Sequence, residues 1–558
     1  MKTARILCAA AVTFVLAGSA ATQDHPRVSF PNKVAAGDVT TSSVQLWARI
    51  DRPGPVLFQL DRQPDFRRPS RWFLDFAVDP AVPVKVTVHG LRPDTRYYYR
   101  ALAFGHPSVH GTFRTAAAAG ARRGLRFGVS GDARGELAPY PALRNADSRL
   151  DFFVALGDTI YADYPSPSVP LPQATTLADY RAKHAEVLGE RFGLNVLGDV
   201  RRSTALFAVI DDHEVINDFA GGAPPASDPR FLPSTASFIN ETPLYRRGLR
   251  AFVEYNPIAD VRHTQTGEPR FDGKPDLYRY RRFGDDAAMF LLDARSFRDT
   301  GLPAVTDPRD PAQIFAFLVA AFDANRTMLG RTQLDRLRRD LLDAQQNGVT
   351  WKFVFVPEPI QNLGVIGASD RFEGYAAERA ALLAFIQAQG IRNVVFVAAD
   401  LHGTFVNNVT YSTGPGQPQI PTGAFEVITG AVAFDAPLGP TLISIAAAAG
   451  LLTPQQVAFY QSLPRPGRDG FVRNLVDSAI VPLGYDPLGL TGATLTAGDW
   501  VAAHTYGWTE FAIGAQDQTL TVTTWGIEPY TEADLMANPG PVVARQPEIV
   551  QQFSVSPR

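Results

Sequence analysis

Acidic residues immediately follow four of the most apolar segments of this chain. Each segment is predicted to be a buried strand, and the four cover residues 126–130, 152–156, 206–210 and 394–398. They lead directly into Gly131-Asp132, Gly157-Asp158, Asp211-Asp212-His213-Glu214 and Ala399-Asp400-Leu401-His402. In open sheets with helical connections, ligands bind at the carboxyl ends of the strands. The pattern therefore predicts that the four strand ends meet at one crevice.

Further apolar strands are predicted at residues 288–292 and 351–356, with helices between the later strands. One helix is expected to begin with Thr332 as its N-cap and to end before Gly348; the other is expected over residues 376–389. Strands that alternate with helices predict sheets covered by helices, which is an α/β or α+β core.

The region before this core has a different pattern. Within residues 27–115, short runs of alternating apolar and polar residues occur at 44–49, 82–88 and 95–100, separated by Gly, Pro and Asp. Such runs predict an all-β sandwich. The segment 90–100 resembles the late-strand signature of fibronectin type III-like domains.

An alanine-rich stretch at residues 116–120 is expected to link this sandwich to the second domain. The second domain is predicted over residues 124–545, with an insertion at about 437–490. A chain of 558 residues is long enough for two structural units, because domains usually have about 100–200 residues.

The N-terminus has the order of a secretory signal. Lys2 and Arg5 precede the apolar run 6–17, and small residues follow at 18–21. This order predicts a signal peptide over residues 1–22 and a secreted or periplasmic protein after its removal. A retained anchor is the alternative interpretation, although the run is too short for a spanning helix.

Two bulk properties limit the chemistry. The one cysteine, Cys8, lies inside the predicted signal, so a metal site in the mature chain must use Asp, Glu, His, Asn or Tyr. The formal net charge is −3, so no basic field exists to hold nucleic acid in a stable complex or to bind an anionic membrane.

Several carboxylates in one crevice repel each other unless cations neutralise them. Oxygen ligands with one or two imidazoles suit hard or borderline ions such as Ca, Mg, Mn, Fe or Zn. Each motif also has a structural alternative: Gly131-Asp132 as a turn, Asp212 as a helix N-cap, and His402 as a core histidine. The occurrence of ligand chemistry at all four strand ends favours a metal site.

Three longer motifs give a family resemblance. They are Gly-Asp-Thr-Ile-Tyr-Ala-Asp at 157–163, Asp-Asp-His-Glu-Val-Ile-Asn-Asp at 211–218 and Leu-Leu-Asp-Ala-Arg-Ser-Phe-Arg at 291–298. From about Val34 to the C-terminus, the sequence resembles the alkaline phosphatase D (PhoD-like) family of metallophosphatases. The Gly-Asp-x-x-Tyr element is also similar to purple acid phosphatases, whose tyrosine binds ferric iron. The resemblance implies a βαβ sandwich core behind an N-terminal all-β domain.

The resemblance also implies a dinuclear metal centre in which Asp158 bridges the ions. It assigns Asp132 and Tyr161 to one ion and Asp212 to the second. Asp400 and His402 would each supply a ligand, one to each ion. Asn217 is implied as a ligand or as a partner of Asp212.

The substrate contacts implied by the resemblance involve three further positions. His213 would contact the phosphoryl group or the leaving oxygen, and Glu214 would orient His213. Arg134 offers forked donors that could bind phosphate oxygens, and a surface salt bridge is the alternative interpretation.

The metals implied by resemblance are Fe(III) and Ca(II). The chain departs from the family because the mature sequence has no cysteine near the first metal, which leaves Mn, Zn or Mg open. Where the wider superfamily has a histidine after residues 353–356, this chain has Glu358, a possible substitute ligand.

The sequence thus predicts a secreted phosphomonoesterase or phosphodiesterase that uses a metal-activated hydroxide. Its substrate would be a phosphate ester: a small molecule, nucleotide, lipid or wall polymer. One alternative is a phospholipase or wall-polymer phosphodiesterase. The other is a secreted binding protein with a degenerate structural metal site. A monomer without a transmembrane segment is expected.

Overall fold

The computed structural model describes residues 28–67, 70–103, 108–307, 309–365 and 367–558. The predicted signal peptide, with Cys8, lies outside these ranges. Within them, no helix has the length and the apolar composition needed to cross a membrane.

The strands of the described residues form three sheets. In chain order they are β1 Val34–Gly37, β2 Ser43–Ala48, β3 Gly54–Asp61, β4 Arg71–Ala77, β5 Val84–His89, β6 Arg96–Ala103, β7 Val109–Arg114, β8 Leu125–Ala133, β9 Phe152–Leu156, β10 Ala205–Val209, β11 Arg279–Phe283, β12 Ala287–Leu291, β13 Trp351–Phe355, β14 Val394–Ala398, β15 Thr404–Tyr411, β16 Ile420–Ile428, β17 Ala431–Ala433, β18 Thr494–Ala497, β19 Val501–Ala502, β20 Tyr506–Ile513, β21 Leu520–Ile527 and β22 Glu548–Val555.

Helices connect these strands and cover the sheets. They are α1 Leu177–Val187, α2 Val196–Ser203, α3 Pro243–Tyr255, α4 Pro311–Ala321, α5 Arg331–Gln346, α6 Ala376–Ala388, α7 Leu438–Ala448, α8 Pro454–Ser462, α9 Arg465–Ile480, α10 Glu532–Ala537 and α11 Pro539–Val543. The region 437–490, predicted as an insertion, contains α7, α8 and α9.

Two large sheets form the core. One has the order β18-β22-β21-β20-β8-β9-β10-β1-β2-β5, with β17 beside β8, and the other has the order β11-β12-β13-β14-β16-β15-β19. Strands β8, β9 and β10 are parallel neighbours, as are β12, β13 and β14. The carboxyl ends of each parallel set therefore lie at one edge of its sheet.

Aromatic side chains pack between the two sheets. The Phe127 ring on β8 stacks on Phe152 at 4.7 Å and on Phe511 at 4.9 Å between centroids. It meets Phe353, on β13 of the other sheet, edge-on at 4.9 Å. Burying each such ring stabilises the fold by about 1.5–3 kcal/mol. The predicted mixed α/β sandwich core is confirmed.

The N-terminal region is all-β, as predicted, but one of its two sheets is shared with the core. Strands β3, β4, β6 and β7 form a separate four-stranded sheet, whereas β1, β2 and β5 extend the eleven-stranded sheet. The junction is the parallel pairing of β1 with β10, in which Ala36 lies opposite Ala205. One half of this β-region is therefore continuous with the core sheet.

The predicted strands at 152–156 and 394–398 match β9 and β14, and α6 matches the second predicted helix to within one residue. The prediction that Thr332 caps the first helix is wrong. The N-cap of α5 is Gly330, with φ 72°, and the Thr332 hydroxyl donates to Glu268 Oε2 at 2.9 Å. Glu268, from a distant loop, also accepts the Thr332 N–H at 3.0 Å, so it supplies the acceptor that a capping side chain would otherwise provide at this end of the helix.

Candidate functional site

Backbone geometry brings the strand ends together. The Ala133 N–H donates to the Asp158 carbonyl at 3.0 Å, and the Gly157 N–H donates to the Val209 carbonyl at 3.1 Å. A Cβ on Gly131 would lie 2.8 Å from the Leu156 carbonyl oxygen, and one on Gly157 would lie 2.7 Å from Asp211 Cβ. Glycine precedes each aspartate because no side chain fits between the adjoining strand ends.

Four of the predicted ligands have left-handed backbone conformations. The φ angles are 58° at Asp132, 49° at Asp158, 62° at Asp400 and 58° at His402. Such conformations cost on the order of 1–3 kcal/mol each for a residue other than glycine, and they concentrate at functional sites.

One group of ligand atoms forms around the end of β8. Asp132, Asp158 and His402 each offer an atom within 4.8 Å of the other two. The Tyr161 hydroxyl lies 3.4 Å from Asp132 Oδ1 and 3.3 Å from His402 Nε2. The structure therefore gathers four predicted ligands, which come from three separate motifs, around one point.

A second group shares a residue with the first. Asp158, Asp212 and His213 also offer atoms within 4.8 Å of one another. The Nε2 atom of His213 lies 4.0 Å from Asp158 Oδ2 and 3.9 Å from Asp212 Oδ1. Asp158 therefore belongs to both groups of ligand atoms.

The donor set fits metal ions. Asp132, Asp158 and Asp212 are buried, and Asp132 Oδ2 and Asp212 Oδ1 have no hydrogen-bond partner among the described residues. A buried polar atom without a partner is costly, and a cation satisfies it. Burial, together with Asp212, Asp211 and Asp132, raises the pKa of Asp158 well above its ordinary value. Carboxylate, phenol and imidazole donors suit hard or borderline cations.

A third group involves two residues that sequence reasoning did not assign. Asp212, Asp218 and Asp370 offer ligand atoms within 4.8 Å of one another. Burial, Asp370 and Asp212 raise the pKa of Asp218 to about 6. Asp218 is the last residue of the motif 211–218, so the motif could have identified it as a candidate ligand. Asp370 lies in a loop before α6 and follows no strand, so nothing in the local sequence marks it.

Two buried arginines offset the negative charge of these groups. Arg295 contacts Asp212 Oδ2 at 3.2 Å, Asp370 Oδ1 at 2.7 Å and Glu358 Oε1 at 2.9 Å, and it also pairs with Asp211. Arg298 pairs with Asp370 and Glu358. Both arginines come from the motif 291–298. Glu358, a possible ligand by sequence, belongs to none of the three groups, and its Oε1 is engaged by both arginines.

Asp163 orients His213. The Nδ1 atom of His213 lies 2.6 Å from Asp163 Oδ1, while Asp163 Oδ2 accepts the Asn217 N–H at 2.8 Å. Burial favours the neutral imidazole, but Asp212 and Asp163 raise the pKa of His213 to about 9. Asp163 is the last residue of the motif 157–163, so the motif could have indicated that this carboxylate lies at the site.

The prediction that Glu214 orients His213 is wrong. Glu214 Oε1 accepts the N–H and the hydroxyl of Thr159, each at 2.6 Å, and Oε2 accepts the Asp211 N–H at 2.9 Å. The carboxylate is fully buried and ties the ends of β9 and β10 together. The carboxylate of Glu214 is thus engaged by the two strand ends, and Asp163 is the carboxylate that bonds to the imidazole.

Two other predicted ligands lie at the edge of these groups. Asp400 is in none of the three, although burial and Asp212 raise its pKa well above the ordinary value. Asn217 is exposed, and its backbone is engaged by Asp163 and Arg230. The roles predicted for both side chains stay predictions.

Arg134 lies next to the first group with its side chain buried. Its guanidinium pairs with Glu136 and Asp435 and lies 4.5 Å from the centroid of the Tyr164 ring. Tyr164 in turn meets the His213 ring edge-on at 5.8 Å. Arg134 therefore forms one buried ion pair, with Glu136, and one with the exposed Asp435 beside the candidate metal centre.

Comparison with known families assigns this architecture. A family model described as PhoD-like phosphatase matches residues 127–459, which is more than half of the 558 residues. The chain belongs to the PhoD-like phosphatase family. A model of the PhoD-like phosphatase N-terminal domain matches residues 16–117. The family predicted from the motifs is confirmed.

Individual PhoD-like relatives agree with this assignment. Alkaline phosphatase D of Bacillus subtilis (strain 168) is 27% identical over 421 residues, which are 67% of this chain and 65% of that protein. The solved structure of PhoD has 20% identity and a TM-score of 0.66, covering 95% of this chain and 91% of the other, and shows a shared fold. A purple acid phosphatase from yellow lupin (Lupinus luteus) seeds matches at 10% identity with a TM-score of 0.49, covering 95% of this chain and 74% of the other.

Proposed function

We propose that this PhoD-like protein is a secreted hydrolase of phosphoric esters that works with a dinuclear metal centre. The observation that carries the proposal is Asp158, a buried carboxylate shared by two groups of ligand atoms. Two cations about 3.5–4 Å apart are the recurring device of phosphoester hydrolysis. A shared carboxylate between two donor sets is what such a pair needs.

The residues divide between the two ions. Asp132, Tyr161 and His402 would hold one ion, with Asp158 as the bridge. Asp212 would hold the second, with Asn217 and Asp400 as further candidates. The phenol of Tyr161 favours Fe(III) at the first position, and the carboxylates favour Ca(II) at the second, while Mn, Zn and Mg also accept these donors. When bound, the ions supply Lewis-acid polarisation of phosphate oxygens and activation of a water molecule.

His213 has a defined task in this proposal. Its Nδ1–H donates to Asp163 at 2.6 Å, so Nε2 is the nitrogen directed at Asp158 and Asp212. An imidazole fixed in this way can donate a proton, or a charged hydrogen bond, to the leaving oxygen of the ester. Arg134 would hold a phosphate oxygen at the rim of the site.

Hydrolysis of a chromogenic monoester and diester tests the proposal. We expect the metal-replete protein to turn over at least one ester, and a chelator to abolish turnover. Asp158→Asn should lose metal content and activity together. Asp335→Asn, which changes an exposed carboxylate on α5, should keep both. If the wild-type protein hydrolysed neither ester, the proposed function would be wrong.

Secretion is part of the proposal and rests on the charged, apolar and small residues of positions 1–22. N-terminal sequencing of protein recovered outside the cytoplasm should show a chain that begins near residues 20–24. An intact Met1 on the exported protein would contradict removal of the signal.

A further inference from the structure

Arg134 has two carboxylate partners that differ in exposure. Glu136 is buried, with 6% of its side chain exposed, whereas the Asp435 side chain is 66% exposed. Asp435 Oδ2 lies 2.5 Å from Arg134 Nη1. Glu136 alone neutralises the guanidinium, so Asp435 adds a second negative charge to a pair that is already neutral.

Aromatic rings place this ion-pair cluster directly beside the candidate metal centre. The guanidinium lies 4.5 Å from the Tyr164 centroid and 5.6 Å from that of Phe434. The Phe434 ring stacks on His402 at 3.7 Å. A single layer of rings therefore separates Arg134 from a predicted metal ligand.

Asp435 controls access to the guanidinium. Arg134 is buried with 8% exposure, and its Nε and Nη1 atoms are both enclosed. Nη2 is held by the buried Glu136, whereas Nη1 faces the exposed Asp435. Arginine N–H groups bind phosphate oxygens through charge-assisted hydrogen bonds. A phosphate oxygen at the rim could therefore use Nη1 once Asp435 has moved into solvent.

We propose that Asp435 is an exchangeable counter-ion of Arg134, and that it makes the site favour singly charged phosphodiesters over doubly charged phosphomonoesters. The inference rests on the proposed function. A phosphate that reaches Arg134 displaces the exposed carboxylate, which then stays nearby on the rim. Because Coulomb energy is proportional to the product of the charges, the displaced carboxylate repels a dianion about twice as strongly as a monoanion.

Asp435→Asn tests this mechanism through the Michaelis constants of p-nitrophenyl phosphate and bis(p-nitrophenyl) phosphate at pH 8. An interaction with an exposed charge is weak, so we expect KM for the diester to fall only about threefold. The monoester carries twice the charge, so its interaction energy with Asp435 is doubled and the threefold factor is squared. KM for the monoester should therefore fall about tenfold. Metal content should not change.

Two controls separate this effect from a general loss of negative charge. Asp335→Asn removes an exposed carboxylate that lies 3.6 Å from Arg338 on α5, and it should leave both constants unchanged. In an Arg134→Gln background, Asp435→Asn should no longer alter the ratio of the two constants. Equal KM values in wild type and Asp435→Asn, or an undiminished effect without Arg134, would overturn the inference.

Failure of the proposed function gives a different result. If wild type hydrolysed neither ester, binding would be measured by calorimetry with inorganic phosphate and dimethyl phosphate. Asp435→Asn should then tighten the binding of phosphate more than that of dimethyl phosphate. An identical dissociation constant for both anions in wild type and variant would overturn the role of Asp435 independently of catalysis.

Discussion

Replacing Arg295 by methionine should strongly destabilise the metal-free protein. Arg295 is fully buried and faces Asp211, Asp212, Glu358 and Asp370. Arg298 also pairs with Glu358 and Asp370, so these two keep a partner in the variant. Asp211 and Asp212 lose their arginine.

The expected loss of unfolding free energy follows from which acids lose their partner. Removing one partner of a buried ion pair costs about 3–5 kcal/mol, because the remaining charge is buried without compensation. The cost is not multiplied by the number of contacts, since Arg298 remains and the unpaired acids share one cluster. We therefore expect the free energy of unfolding to fall by about 4 kcal/mol.

Urea unfolding followed by tryptophan fluorescence, in the presence of a chelator, measures this loss. Arg465→Met is the matched control, because Arg465 pairs with Glu528 and Glu548, which are 67% and 60% exposed. Exposed pairs contribute about 0–1 kcal/mol, so the control should be nearly neutral. If Arg295→Met cost no more than the control, the idea that Arg295 compensates the buried acids would be refuted.

Other substitutions probe the site and the core. Asp163→Asn should lower kcat about 10–100-fold with metal content retained, as expected for loss of a residue that orients a site histidine; unchanged kcat with normal metal content would contradict the orienting role. Burial raises the pKa of Glu426 to about 7, above the value of its unfolded state. The resulting stability is therefore full below about pH 4.5 and is lost as the pH rises through about 7. Melting temperatures at pH 5 and pH 8 should differ less in Glu426→Gln than in wild type, and an equal difference would refute this linkage.

The local sequence was a good guide to the strand ends. Buried strands are short and continuously apolar, so β9 and β14 could be located to the residue. The Gly-Asp pairs pointed to Asp132 and Asp158, because tight strand junctions need glycine and because carboxylates follow these two junctions. Asp212 and His402 follow strand ends in the same way, whereas Tyr161 was implied by the family resemblance.

Errors arose where a residue had several possible partners. Thr332 is of a residue type that is common at N-caps, but the N-cap of the helix is Gly330. The threonine hydroxyl bonds instead to Glu268, which comes from a distant loop. Glu214 adjoins His213 in sequence, yet its carboxylate bonds to Thr159 and to the backbone. Adjacency along the chain does not determine which side chains meet.

The sequence by itself determined the family, the mixed α/β core and the strand-end carboxylates, because burial pattern and motif spacing are local properties of the chain. Only the tertiary structure decided that Asp163 holds His213, that Asp370 joins the acidic groups and that Asp435 pairs with Arg134. Asp435 is 301 residues from Arg134 in the sequence, and the Ala433 carbonyl accepts the Arg134 N–H beside it. The contact between Arg134 and Asp435 depends on how β17 pairs with β8, and that pairing exists only in the folded chain.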